Sequence, residues 1–298
     1  MTVLYVAGWM YSGSTLLGRV LGELDGAFAA GELGRVWSGF AHERPCGCGR
    51  LRAQCPVWSA VLADAYGSPD AADAARVDAL ARGFRLNRRV GTTLLALRGR
   101  GGAAADLREY RGHLARLHRS LARVTGAGVV VDTTKSPLYA SILDGVDGVE
   151  LKVVHLVRDP RGTLLSGAQR SHRRMGPVSS MALWTLSHGA IEAGRRRRGA
   201  DRYRLVRYED FARRPQETVA SLARFAGLEP SSVGLDDGRV VLGESHAISG
   251  NERGRLHRGP LEIAPDEAWR DGLGPLARAG AVALTWPLLG RYGYRVRS

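Results

Sequence analysis

Lysine is almost missing from this chain. Only two of its 43 basic residues are lysines, Lys135 and Lys152, and the rest are arginines. Cysteine is scarce too, with three residues lying between positions 46 and 55. That excludes a small scaffold built on disulfides. No apolar run approaches the roughly 20 residues of a membrane helix. The short apolar run near the N-terminus has no charged region ahead of it, so neither a membrane span nor a signal peptide is expected, and the reading is a soluble cytoplasmic protein. There is no basic tail, no array of aromatics interleaved with basic residues, no internal repeat and no low-complexity linker. A dedicated nucleic-acid surface is therefore not expected.

What is present is a chain of 298 residues with a formal charge of +14 and a pI near 10.6. That length supports an ample core in one large or two modest domains. The basic balance favours an anionic partner, and on charge alone nucleic acid, a membrane surface or a phosphorylated cofactor would fit. With Ala, Gly and Leu also abundant, part of the arginine excess is what compositional bias produces, which makes a lysine in this chain worth attention.

The most informative stretch is Val3 to Gly22, VLYVAGWMYSGSTLLGRVLG. Val3 to Ala7 is an apolar run with the character of a buried strand, and Gly8 to Gly13 is a tight loop. From Ser14, the spacing of Leu16, Leu17, Val20 and Leu21 predicts a helix with one apolar face. A helix N-terminus after a glycine loop is an anion site, because its first N–H groups have no intrahelical partner. Gly8, four residues, then Gly13, Ser14 and Thr15 is the P-loop spacing, with Ser14 where a nucleotide triphosphatase has its lysine. The missing lysine argues against a kinase or ATPase and leaves a phosphate site made of amides and hydroxyls.

Further along, Phe28 to Trp37 reads as a loop and then a helix beginning near Glu32, whose carboxylate suits a helix N-terminus. Cys46, Cys48 and Cys55 form a compact cluster that lacks a neighbouring fourth metal ligand, although His42 could serve; a structural loop or a Cys48–Cys55 bridge are the alternatives. Residues 58–126 are rich in Ala, Arg and Leu at helical spacing and predict two or three helices, broken near Gly67 to Pro69 and Gly99 to Gly102. Val129 to Pro137 is a second strand entering a polar loop. At its end Asp132 reads either as a magnesium ligand or as a loop-ordering group, and Lys135 either faces the ligand edge or is merely solvated. Leu151 to Arg158 is a third strand. Arg158 and Ser166, on the helix that follows, can converge on one phosphate, whereas pairing with Asp159 or another carboxylate at the surface is the plainer role for the arginine. Arg195 to Arg198 reads as a solvated helix end, and Tyr203 to Val206 as another strand. Gly243 to Gly259 has no period. Its three arginines could close over an anion, or it is simply an exposed loop. Trp269 to Tyr294 reads as helical, with Trp286, Leu288 and Leu289 packing on the sheet. Strands separated by helices predict an α/β fold with right-handed crossovers and a parallel sheet.

Taken in order, these segments resemble the bacterial branch of the sulfotransferases that use 3′-phosphoadenosine 5′-phosphosulfate (PAPS). The resembling motifs are SGSTLL at Ser12 to Leu17, GEL at Gly31 to Leu33, the CGCG…CPVW cluster, VVVDTTKSP at Val129 to Pro137, HLVRDPRGTLLS at His155 to Ser166, RYEDF at Arg207 to Phe211, and the SGN…R loop from Ser249. The resemblance spans most of the chain. It implies one domain over residues 1–298 with a P-loop-like parallel sheet flanked by helices; the helical stretch at about 58–126 then reads as an insertion that covers the sheet and is the expected substrate cover. It implies that Ser12, Gly13, Ser14, Thr15 and Leu16 bind the 5′-phosphosulfate, that Arg158 and Ser166 bind the 3′-phosphate, that Tyr208 lies near the nucleotide, and that Arg253 or Arg255 closes the 3′-phosphate pocket. No metal is required for transfer.

The implied reaction is in-line attack of a hydroxyl of a small-molecule acceptor, such as a specialised metabolite, on sulfur, with 3′,5′-ADP leaving. Similarity to the tyrosylprotein sulfotransferases implies Glu32 as general base and Lys135 as electrostatic stabiliser. The family usually carries Arg or Lys immediately before the SGS turn; here the residue is Tyr11, which can donate a hydrogen bond but brings no charge. Two other readings compete: a P-loop kinase-like phosphotransferase, which predicts binding of ATP and magnesium, and a non-catalytic nucleotide-binding protein of the same fold.

Overall fold

A computed structural model describes residues 1–68, 73–84, 90–170, 175–230 and 234–295. Five parallel strands form its main sheet in the order β2-β3-β1-β4-β5. These are β1 (Thr2–Gly8), β2 (Ala27–Gly31), β3 (Val129–Lys135), β4 (Glu150–Val157) and β5 (Tyr203–Arg207). The three middle strands are runs of Val, Leu and Ile-like residues because helices cover both faces of the sheet. In β1 every residue from Val3 to Gly8 is buried.

On one face, Leu107, Leu114, Leu117 and Leu121 of the long helix Ala103–Thr125 join Val3, Tyr5 and Val130 in one apolar cluster. On the other face, Leu17, Val20 and Leu21 of the first helix (Ser14–Leu21) pack with Leu4, Val6, Val131 and Val154. A third cluster joins Trp184 of helix Pro177–Arg198 to Leu289 of helix Pro275–Arg291. Trp286 does not pack on the sheet as expected: it is 62% exposed, and Leu289 fills the cluster instead.

The stretch expected to hold two or three helices contains four among the described residues, Pro56–Tyr66, Ala74–Gly83, Val90–Leu97 and Ala103–Thr125. Gly67 and Gly99 do break helices, both at positive φ, while Pro69 lies outside the described residues. β2 replaces part of the loop expected before Glu32. Its small residues let the chain pass close to the first helix: a Cβ added at Gly22 would lie 2.4 Å from Ala29 Cβ. The segment without period is also bracketed by structure. β6 (Arg239–Leu242) and β7 (Gly259–Glu262) pair antiparallel, and the connection between them carries a short helix, Glu252–Leu256. The arginine run ends in a buried residue rather than a solvated one: Arg198 is 8% exposed and its Nε lies 3.2 Å from Asp144 Oδ2.

With β1 between β3 and β4, the strand order reverses beside β1, and the crevice at the carboxyl ends of these strands is where ligands bind in open α/β sheets. Gly8, Glu32, Lys135, Arg158 and Tyr208 lie at or directly after the ends of β1 to β5.

Candidate active site

The loop between β1 and the first helix, the candidate phosphate loop, is shaped by glycines at which a Cβ would clash. Gly13 caps the first helix at φ 87°, and a Cβ there would lie 2.6 Å from the Tyr208 ring. At Gly8 it would lie 2.5 Å from the Leu156 carbonyl oxygen of β4. Of the non-glycine residues described at positive φ, Tyr11 (63°), Lys135 (71°) and Ser249 (55°) all lie around this loop. Backbone in that region costs of order 1–3 kcal/mol per residue and collects at functional sites.

Ser12 is fully buried, and its Oγ has no hydrogen-bond partner among the described residues. Ser14 is buried, and Thr15 Oγ1 accepts from the Asn251 N–H at 3.3 Å. Leu16 turns its side chain toward the apolar cluster, which leaves its amide for any ligand role. Tyr11 directs its ring toward the helix that follows β4, since a Cβ on Gly167 would lie 3.3 Å from Tyr11 Cε2. Its carbonyl accepts from Arg158 Nη1 at 2.9 Å.

Arg158 and Ser166 do converge. Arg158 Nη1 lies 3.4 Å from Ser166 Oγ, and the guanidinium sits 4.6 Å over the Tyr208 ring. Tyr208 thus touches both the phosphate loop and the arginine. The partner of Arg158 is not Asp159, which pairs with Arg161 at 2.7 Å; it is Asp266, whose Oδ2 lies 2.8 Å away. Asp266 comes from an irregular segment and has no motif to reveal it.

On the other side of β1, Lys135 Nζ donates to Glu32 Oε1 at 2.6 Å and to the Thr133 carbonyl at 2.9 Å. Glu32 Oε2 lies 3.0 Å from Arg35 Nε. Burial alone would push the Glu32 carboxyl up. Lys135, Arg35 and a hydrogen bond from Ser249 outweigh it and hold the group below its ordinary range. Glu32 is therefore ionised at neutral pH. Asp132 orders the loops beneath this pair: its Oδ1 accepts from the N–H groups of Leu33 and Thr134 and from Thr134 Oγ1. Burial raises its carboxyl to about 7 despite those donors.

The 243–258 connection closes onto both regions. The Glu32 N–H donates to the Ile248 carbonyl at 2.6 Å. A Cβ on Gly250 would lie 3.1 Å from Thr15 Oγ1 and 3.9 Å from Glu32 Oε1, so loop, helix and carboxylate meet there. Arg19 holds the connection in place. Buried within the first helix, it donates to the carbonyls of Gly243, Gly254, Arg255 and His257. The sequence offered no sign of this, since an arginine beside an apolar stripe reads as a helix surface residue. The two candidate arginines separate. Arg255 is buried and donates to the Pro45 carbonyl, whereas Arg253 is exposed.

A family profile described as a sulfotransferase family matches residues 4–232. The chain belongs to the sulfotransferase family. Solved structures agree on the fold. The sulfotransferase domain of the olefin synthase of Synechococcus PCC 7002 superposes with a TM-score of 0.53 at 19% identity, covering 97% of this chain and 94% of that one. The sulfotransferase domain from the curacin biosynthetic pathway gives 0.55 at 16% identity, covering 99% and 98%. A sulfotransferase of Mycobacterium avium gives 0.52 at 15%, covering 98% and 77%. A search among curated proteins finds no match. Among the described residues of this sulfotransferase-family chain, no helix is long and apolar enough to cross a membrane.

Proposed function

We propose that this protein transfers a sulfuryl group from PAPS to a hydroxyl of a small-molecule acceptor. One juxtaposition carries the reading. The Arg158–Ser166 clamp closes directly onto the backbone of a phosphate loop that has no lysine, through the 2.9 Å contact with Tyr11 O. Such a site suits a nucleotide with two separate anionic groups, one on the loop and one on the arginine. Nucleoside triphosphates, whose charge lies along one chain, use a P-loop lysine and magnesium instead.

The residues fit that ligand. The orphaned Ser12 Oγ and the first amides of the helix would hold the 5′-phosphosulfate. Arg158 and Ser166 would hold the 3′-phosphate, with Tyr208 beside the nucleotide and exposed Arg253 closing over it. Arg255 donates to the Pro45 carbonyl through one of its nitrogens and is the buried member of the two candidate arginines. The donor supplies an activated sulfuryl group and a stable leaving group, 3′,5′-ADP. Glu32 takes the proton of the acceptor hydroxyl as its oxygen attacks sulfur. Lys135 brings positive charge to the oxygens on which negative charge develops. Tyr11 contributes its carbonyl to the arginine clamp, and Lys135 is the cation assigned to the developing charge. The helices of residues 58–126 shape the acceptor's entrance, and transfer needs no metal.

The test is ligand-induced thermal stabilisation. 3′,5′-ADP should raise the melting temperature of the protein, and ATP with magnesium should not. The opposite pattern would favour phosphoryl transfer. A mass gain of one sulfuryl group across a panel of hydroxylated metabolites would then identify the acceptor.

A further inference from the structure

The cysteine cluster is completed by a residue 191 positions beyond Cys55 in the chain. Cys46, Cys48, Cys55 and His246 bring three sulfurs and one imidazole nitrogen within 4.8 Å of one another. His246 Nδ1 lies 3.2 Å from Cys55 Sγ and 4.0 Å from Cys46 Sγ. Neither His42 nor a disulfide takes part: the cysteines are free, and His246 supplies the fourth donor. We propose that these four residues bind a structural zinc ion.

The geometry fits the ion. With Zn–S near 2.3 Å and Zn–N near 2.0–2.1 Å, a tetrahedral site has donor–donor edges of roughly 3.5–3.8 Å. The two His246–cysteine distances straddle that range, so a contraction of about 1 Å or less on the longer edges closes the shell. Three soft thiolates and one imidazole select zinc over magnesium or calcium. All four positions are filled by the protein, which marks a structural rather than a catalytic site.

The surroundings are built to hold these donors. Cys46 and Cys48 sit in a tight turn: the Cys46 N–H donates to the Arg50 carbonyl at 2.7 Å, the Gly49 N–H donates to the Cys46 carbonyl at 3.0 Å, and Gly49 takes φ 85°. Cys55 caps the helix Pro56–Tyr66. Trp58 Nε1 donates to the His246 carbonyl at 2.7 Å, and the Gly47 N–H donates to the Ala247 carbonyl at 3.1 Å. Zinc with three thiolates carries a net charge of −1. Arg52, only 2% exposed and three residues before Cys55, brings a buried positive charge that would offset it.

The ion would anchor the candidate active site by two routes. Arg52 Nη1 donates to the Val36 carbonyl at 3.0 Å and to the Arg35 carbonyl at 3.3 Å, in the turn that follows Glu32. Two residues after His246, Ile248 pairs with the backbone of Ala30 and Glu32. Zinc thus fastens the 243–258 connection to the strand end that carries Glu32. This inference stands on the cluster alone and does not depend on the sulfuryl-transfer reading.

The test uses the full chain purified under reducing conditions from zinc-supplemented medium. Metal analysis should find about one zinc per chain. Replacement by Co²⁺ should give the strong visible d–d bands of a tetrahedral thiolate site. Cys48→Ser and His246→Ala should each lower zinc retention against a competing chelator at least about tenfold, judged on folded protein by circular dichroism. Wild-type protein without zinc and without those cobalt bands would overturn the proposal. So would a disulfide among the three cysteines in the purified protein, or full zinc retention by both variants.

Discussion

Two ion pairs flank the phosphate loop, one at the end of β3 and one at the end of β4, and they are built differently. In the Lys135–Glu32 pair both side chains are mostly enclosed, 15% and 11% exposed. The Glu32 backbone is tied to Ile248, its second oxygen to Arg35, and the turn after it to Asp132. In the Arg158–Asp266 pair the arginine is just as enclosed, at 6%, but the carboxylate is 35% exposed and rides on an irregular segment. The arginine is fixed from other directions, by the Tyr11 carbonyl, Ser166 and the Tyr208 ring. The first pair is a permanent fixture with both charges placed. The second is a fixed cation with a replaceable anion. For the proposed 3′-phosphate role of Arg158, such a carboxylate would neutralise the arginine until the phosphate arrives, because an uncompensated buried charge is costly.

The permanent pair should give the largest effects. Glu32→Gln keeps the shape and removes the base, so kcat should fall by about 10²–10⁴. The affinity for 3′,5′-ADP should stay near that of the wild type in calorimetry. Unchanged turnover would end the role of Glu32 as base.

Lys135→Met should lower kcat by about 10²–10³ and also move the pH profile. Glu32 is pushed up by burial and pulled down more strongly by Lys135 and Arg35. Wild-type activity should therefore hold on the acid side until below the ordinary carboxylate range. Without Lys135, burial has more weight, and the acid limb of kcat/KM should shift to higher pH. An acid limb that stays in place would show that Lys135 does not set the charge state of the base.

Arg158→Ala tests the exchangeable pair from its fixed side. Charge-assisted hydrogen bonds contribute about 1.5–3 kcal/mol, so the Kd for 3′,5′-ADP should rise by roughly 10- to 100-fold. With adenosine 5′-phosphate, which lacks the 3′-group, variant and wild type should bind alike, and that cycle isolates the contact. An equal loss for both nucleotides would place Arg158 under the loop rather than on the 3′-phosphate.

The parts of these pairs that were legible in the sequence are those with local signals. Apolar runs announced β1, β3 and β4, and polar or basic residues immediately after them marked the carboxyl ends of the strands. The P-loop spacing from Gly8 to Thr15 announced the glycine turn and the helix start at Ser14, and the strand-end Arg158 with Ser166 on the next helix read as a pair that converges. β2 was missed because Ala27–Gly31 has small residues where a buried strand shows bulk; its packing is decided by the first helix. Asp266, Arg19 and His246 were missed for a different reason. Each acts on a residue or carbonyl more than 100 positions away in the chain. Periodicity and caps report on neighbours a few residues apart, and nothing local marks such a contact. The cysteine cluster looked one ligand short for the same reason.

The smallest effect tests the replaceable anion itself. Burial pushes the Asp266 carboxyl up, but Arg158 outweighs that and holds it below its ordinary range, so it is charged at neutral pH. A phosphate arriving at Arg158 must displace this carboxylate or lie beside it, and either costs affinity. Asp266→Asn keeps the hydrogen-bonding shape and removes the charge. Because the carboxylate is about a third exposed, solvent screens the pair, and its contribution is in the range of about 0.2–1 kcal/mol. The Kd for 3′,5′-ADP should accordingly fall by about 1.4- to fivefold in Asp266→Asn. The gain should vanish with adenosine 5′-phosphate, which presents no phosphate to Arg158. Weaker binding of 3′,5′-ADP would reverse the comparison: Asp266 would then hold the arginine in its binding geometry, and both pairs would be permanent.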